Sequence, residues 1–165
     1  MAAGSTYTPI STTTLGSAQN TVVFNSFSGY TDLVIVTNVK STSTENMSMI
    51  FNSDTGSNYS RTIITGNGST ATNDRQTSVT SIGTDYNGYF DGIDFNQAKI
   101  IQIMNYSNST KYKTCLIRSN RAQSGTDAIV GLWRNTNAIT SITLGANSLN
   151  FAVGSTFTIY GIVAA

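Results

Sequence analysis

The chain has 165 residues, with nine Lys or Arg, eight Asp or Glu and no His, for a formal net charge of +1. That length suits one domain able to bury its own core. No charge field exists to gather nucleic acid or an anionic membrane, and the missing His excludes Ser–His–Asp and Cys–His catalysis along with the commonest zinc ligand.

Helix formers are scarce, with one Glu and four Lys, whereas Ser, Thr and Asn make up 64 residues. Short alternating segments recur every ten to fifteen residues or so, as in an all-β sandwich or barrel. Residues 1–8 read as a short N-terminal arm, and 9–165 as one β-sandwich domain. The lone proline, Pro9, suits a strand start or edge. PISTTTL (9–15) is a weak first strand and TVVFNSF (21–27) a second. DLVIVTNVK (32–40) places Leu33, Ile35 and Val39 on one face and Val34 and Val36 on the other, which predicts a central strand covered on both sides. MSMIF (47–51) and SRTIIT (60–65) flank a turn-rich connection. Residues 66–95 look irregular, apart from SVTSI (78–82). Further strands are expected within 96–105, 111–120, 127–136, 138–144 and 155–163. Nine to eleven strands result, enough for a jelly-roll-like antiparallel β-sandwich.

No apolar run approaches the ~20 residues of a membrane span. The opening MAAGSTYTPI has neither the charged nor the apolar region of a secretory signal, so the chain is expected to be made in a cytoplasm and to stay soluble. Cys115 is the only cysteine and forms no intrachain disulfide; within KYKTCLIRSN it reads as a small buried hydrophobe. Trp133 reads as a core anchor.

Asp54–Ser57 spells DTGS, the tetrapeptide of aspartic proteases. That chemistry needs two carboxylates sharing a proton and an apolar strand leading into the Asp. Asn52 and Ser53 precede it here, so the segment reads as a turn. DYNGYFDGID (85–94) starts like a calcium loop, with Asp85 and Asn87 at the first two ligand positions. Tyr89 and Phe90 then fall where a third ligand and a glycine belong, so the EF-hand match fails and an irregular Ca²⁺ site is the alternative to a plain polar loop. No cofactor or metal is expected. The loop sets Tyr86, Asn87, Tyr89, Phe90 and Asp91 among Gly and Asn, the composition of an adaptable contact surface. The alternative is that its aromatics plug the end of the sandwich. Asp91 and Asp94 are close in sequence, but nothing orients them as a glycosidase pair, and no enzymatic activity is expected.

Four stretches carry a resemblance: MAAGSTYTPISTTTLGSA (1–18), YTDLVIVTNV (30–39), FNSDTGSNYSRTIITGNGS (51–69) and GLWRNTNAITSITLGANSLNFAVGSTFTIYGI (131–162). They resemble a diffuse family of small virion proteins of tailed bacteriophages, especially marine and cyanobacterial phages. The last stretch is the most specific, with its Trp strand, AITSITL, a Phe turn and a closing GSTFTIYGI strand. The resemblance implies a β-sandwich virion component of decoration or tail-fibre type with no enzymatic residues. The chain lacks a coiled-coil or collagen-like shaft. The expectation is therefore a capsid-exterior decoration or cement subunit that binds the major capsid protein or tail components, assembles in the host cytoplasm and forms a homotrimer. The alternative is a tail-fibre or receptor-binding module whose 85–95 loop contacts a host-surface glycan. Nucleic acid and membrane are not expected partners.

Overall fold

The computed structural model describes residues 6–41, 46–86, 96–121, 123–146, 148 and 150–163. Twelve strands and no helix occur among them: β1 (Tyr7–Thr14), β2 (Thr21–Phe24), β3 (Asp32–Val39), β4 (Ser48–Phe51), β5 (Tyr59–Gly66), β6 (Ala71–Val79), β7 (Ile82–Gly83), β8 (Gln97–Met104), β9 (Lys113–Arg121), β10 (Gly125–Trp133), β11 (Ile142–Gly145) and β12 (Thr156–Ile162). Two antiparallel sheets result. One has the order β1-β12-β3-β8-β9-β10-β5-β6 and the other β2-β11-β4-β7.

The topology is a jelly roll with two hairpins added. β1 pairs with β12, β2 with β11, β3 with β8 and β4 with β7, as in a single long hairpin. Rolling that hairpin up brings β12 against β3 and β11 against β4. This is the double Greek-key wrap of a jelly roll. The β5–β6 and β9–β10 hairpins then widen one sheet from four strands to eight.

Alternation explains the core. On β8, Gln97, Lys99, Ile101 and Ile103 are buried, while the residues between them are exposed or half-buried. Cross-strand register turns such alternation into rungs across the inner face. Ile159, Ile35, Ile101, Ile117, Ile129 and Ile63 are successive partners over six strands and all are buried. Each such side chain contributes about 1.5–3 kcal/mol on burial. Val22, Phe24, Met49, Phe51, Ile142 and Leu144 belong to the same core from the four-stranded sheet.

The structure departs from the sequence expectations at three places. β1 begins at Tyr7, which pairs with Ile162, so Tyr7 and Thr8 are strand residues where an arm was expected. Pro9 lies inside β1, an edge strand, next to a register irregularity between Pro9 and Ser11. β6 is a nine-residue strand inside the stretch read as irregular. It has no apolar alternation and is exposed on both faces except at Asp74 and Val79, so only its pairing with β5 reveals it. β3 is interior to its sheet, but its outer face is only partly covered: Val34 is buried and Val36 is exposed. Trp133 and Cys115 are buried in the core, as expected.

Candidate functional site

Of the expected contact residues, the structure places Tyr86; Asn87, Tyr89, Phe90 and Asp91 lie outside the described residues. Tyr86 is half-buried and packs against the hydrophobic core. Its amide donates to Asp127 Oδ2 at 3.2 Å. Asp85, considered above as a calcium ligand, instead engages Lys99. Among the described residues, no group of three or more His, Cys, Asp or Glu could hold a metal ion.

Asp85 opens onto a buried polar cluster. One rung from the isoleucines, the inner face carries Thr37, Lys99, Ser119, Asp127 and Thr65 as successive partners, all buried. Lys99 Nζ donates to Asp85 Oδ2 at 2.7 Å, Ser119 Oγ at 2.8 Å and Gln97 Oε1 at 3.3 Å. Asp85 comes from the other side of the sandwich, two residues past β7. Thr84 holds that end by donating from its amide and hydroxyl to the Met47 carbonyl. The Met47 amide donates to Asp85 Oδ2 at 3.2 Å. Arg61 reaches in from β5 and donates to the Asp85 carbonyl at 2.7 Å, with Asp74 3.6 Å away as its ion-pair partner. Asp127 accepts from the Thr65 hydroxyl as well as from Tyr86.

Burial dominates the electrostatics here. It pushes the Asp85 carboxyl up, against the pull of Lys99. It also pushes the Asp127 carboxyl up, and the charge of Asp85 adds to that rise while the Tyr86 amide opposes it. A buried ion pair adds little net stability, because desolvation offsets its attraction. The pair does span the sandwich, joining β8 to the segment after β7.

The sequence reasoning did not assign this cluster, although half its signal was present. Lys99 is in phase with Ile101 and Ile103, and Asp127 with Ile129 and Trp133, so strand alternation aims both inward. What the sequence could not give was Asp85 as the partner, since that contact spans the two sheets.

The outer face of the eight-stranded sheet is the second candidate. Val36, Ile100, Arg118, Ala128 and Ile64 form one outward rung, and Val34, Gln102, Leu116, Val130 and Thr62 the next. Val36, Ile64, Ile100, Leu116 and Val130 keep 37–62% of their surface exposed. The rungs bound an open groove of about 400 Å³. Arg118 is the only charged side chain in these two rungs, and Arg75, opposite Thr62 on β6, extends the positive edge. An apolar strip on a sheet face, bordered by polar residues, is the form of a protein-binding surface.

The DTGS segment is a structural turn. Asp54 accepts hydrogen bonds from the Trp133 indole at 2.7 Å, Asn58 Nδ2 at 2.9 Å and the Gly56 amide at 2.8 Å. Those three donors hold its carboxyl below the usual carboxylate range. No protein-family model matches the chain. No curated protein matches its sequence.

Proposed function

We propose that this chain is a structural virion protein of a tailed phage that binds the capsid exterior as a decoration or cement subunit. The observation that carries the reading is the apolar outer face of the eight-stranded sheet. Five aliphatic side chains stand exposed there on a regularly hydrogen-bonded surface. Strands in a wide antiparallel sheet hold them in fixed register, so a partner meets a preorganised surface and little ordering entropy is lost on binding. The Arg118 guanidinium gives the strip a charge, which a carboxylate on the partner would match.

The jelly-roll wrap and the resemblance of residues 131–162 to small phage virion proteins support the same reading. A shell lattice presents its sites many times over, so copies joined to one another, as a trimer at a three-fold position, need only modest affinity each. Quantitative mass spectrometry of purified particles tests the assignment. A decoration subunit is present in a number of copies that scales with the shell lattice. A handful of copies per particle would move the protein to the tail, and none would remove it from the virion.

A further inference from the structure

We propose that Lys99 and Asp85 are the two halves of an intramolecular isopeptide bond that ties the eight-stranded sheet to the four-stranded one. The inference is independent of the virion reading, because it rests only on the buried cluster.

The reacting groups are already in contact. Lys99 Nζ lies 2.7 Å from Asp85 Oδ2, and both side chains are fully buried. Holding the two groups together makes their reaction intramolecular, for which well-oriented pairs reach effective molarities of about 10⁵–10⁸ M. In bulk water an amine and a carboxylic acid remain an ion pair, because solvation favours the charged forms. Burial withdraws that solvation and pushes the Asp85 carboxyl up, toward the acid from which condensation proceeds.

The two carboxyl oxygens of Asp85 are held differently. Oδ2 accepts from the Met47 amide as well as from Lys99. Oδ1 is buried and has no hydrogen-bond partner among the described residues. The Met47 N–H therefore polarises the C–Oδ2 bond and stays with the oxygen that becomes the amide carbonyl. Oδ1 is the oxygen that leaves.

The step balances without an oxidant or co-reactant. One proton passes from the Lys99 ammonium to the Asp85 carboxylate and comes to rest on Oδ1, giving amine and acid. The Nζ lone pair attacks Asp85 Cγ and the C–N bond forms. A second Nζ proton passes to the departing oxygen, the C–Oδ1 bond breaks, and one water leaves. The product amide keeps one N–H, with Ser119 Oγ as its acceptor. Asp127 is the group to relay the proton. It is on the same rung as Lys99 with Ser119 between them, and the charges of Asp85 and Lys99 both act on its carboxyl. Its carboxyl is pushed up by burial, the direction that favours a proton carrier.

Intact-mass measurement of the folded, purified full chain is the test. The expected protein is lighter by one water than its sequence, and proteolysis releases one branched peptide containing both Asp85 and Lys99. Lys99→Arg is expected at full mass. An unmodified wild-type mass, in protein whose circular dichroism is that of a β-sheet fold, overturns the proposal. So does the same loss of water in Lys99→Arg, which would place the dehydration elsewhere. Asp127→Asn, checked for the same β-sheet spectrum, is expected to accumulate the linked form at least tenfold more slowly. Linkage at the wild-type pace would overturn the relay.

Discussion

The indole of Trp133 donates to Asp54 Oδ2 at 2.7 Å, joining the last residue of β10 to the turn between β4 and β5. Trp133 is itself fully buried, stacked on Tyr59 and tilted against Phe51. The Tyr59 hydroxyl donates to the Asp54 carbonyl at 3.0 Å. One turn carboxylate thus satisfies the only polar atom of the largest core side chain, which accounts for an Asp at this position without any catalytic role.

That contact makes the stability of the fold dependent on acid. The Asp54 carboxyl is held below its ordinary value by its hydrogen bonds, first the one from Trp133. A depressed folded-state value means that the contribution is complete above the unfolded value of about 3.9 and fades as pH falls through the folded one. Asp54→Ala should cost about 1–3 kcal/mol at pH 7, because the indole N–H loses its partner. Urea unfolding of both proteins across the acid range checks this, with the gap between them narrowing below about pH 4. A gap that stays constant would count against the assignment.

Gly131 shows how tightly the rung beside the isoleucines is packed. A Cβ there would lie 2.6 Å from Cys115 Sγ and 2.9 Å from Ile82 Cγ2. Gly131→Ala should destabilise by roughly 1–3 kcal/mol through overpacking. Adding Cys115→Ala removes the nearest clash, so the double variant should lose less than the two single losses added together. Strict additivity in denaturant melts would mean that the clash is absorbed elsewhere.

The buried thiol of Cys115 should be chemically silent. Burial pushes it up to about 12, and the thiolate is the reactive form. A thiol reagent at pH 8 should label the native protein at the rate of global unfolding, and the urea-unfolded chain at once. Prompt labelling of native protein would show that the strands around Cys115 open locally.

Much of this architecture is legible in the chain, for reasons that also set the limit. Alternation in segments such as KIIQIM and DAIVGLW announces strands and assigns their faces. Lys99 and Asp127 could be placed inside on that basis alone. Which isoleucine meets which could not, because Ile63 of β5 pairs with Ile129 of β10, far away along the chain. β6 was invisible because Ala71–Val79 carries no apolar stripe. Its hairpin depends on Asn67, whose Oδ1 accepts from the Ser69 and Thr70 amides. The exposed strip was half legible. Val34 and Val36 were read as a second covered face, yet only Val34 is covered within this chain. The expected contact loop leaves Tyr86 alone to describe, and its amide turns toward the buried cluster through Asp127.

The exposed strip gives the most direct test of the central claim. Leu116→Lys and Val130→Lys lie on the open outer face, so each should change folding stability by no more than about 0.5 kcal/mol. The measurement is co-sedimentation of the isolated protein with phage particles that lack it. The account predicts saturable binding of the wild type at a lattice-scale number of copies, and loss of that binding in the Leu116→Lys, Val130→Lys double variant with its β-sheet spectrum intact. Wild-type protein that stays in the supernatant, or a double variant that binds equally well, would contradict it.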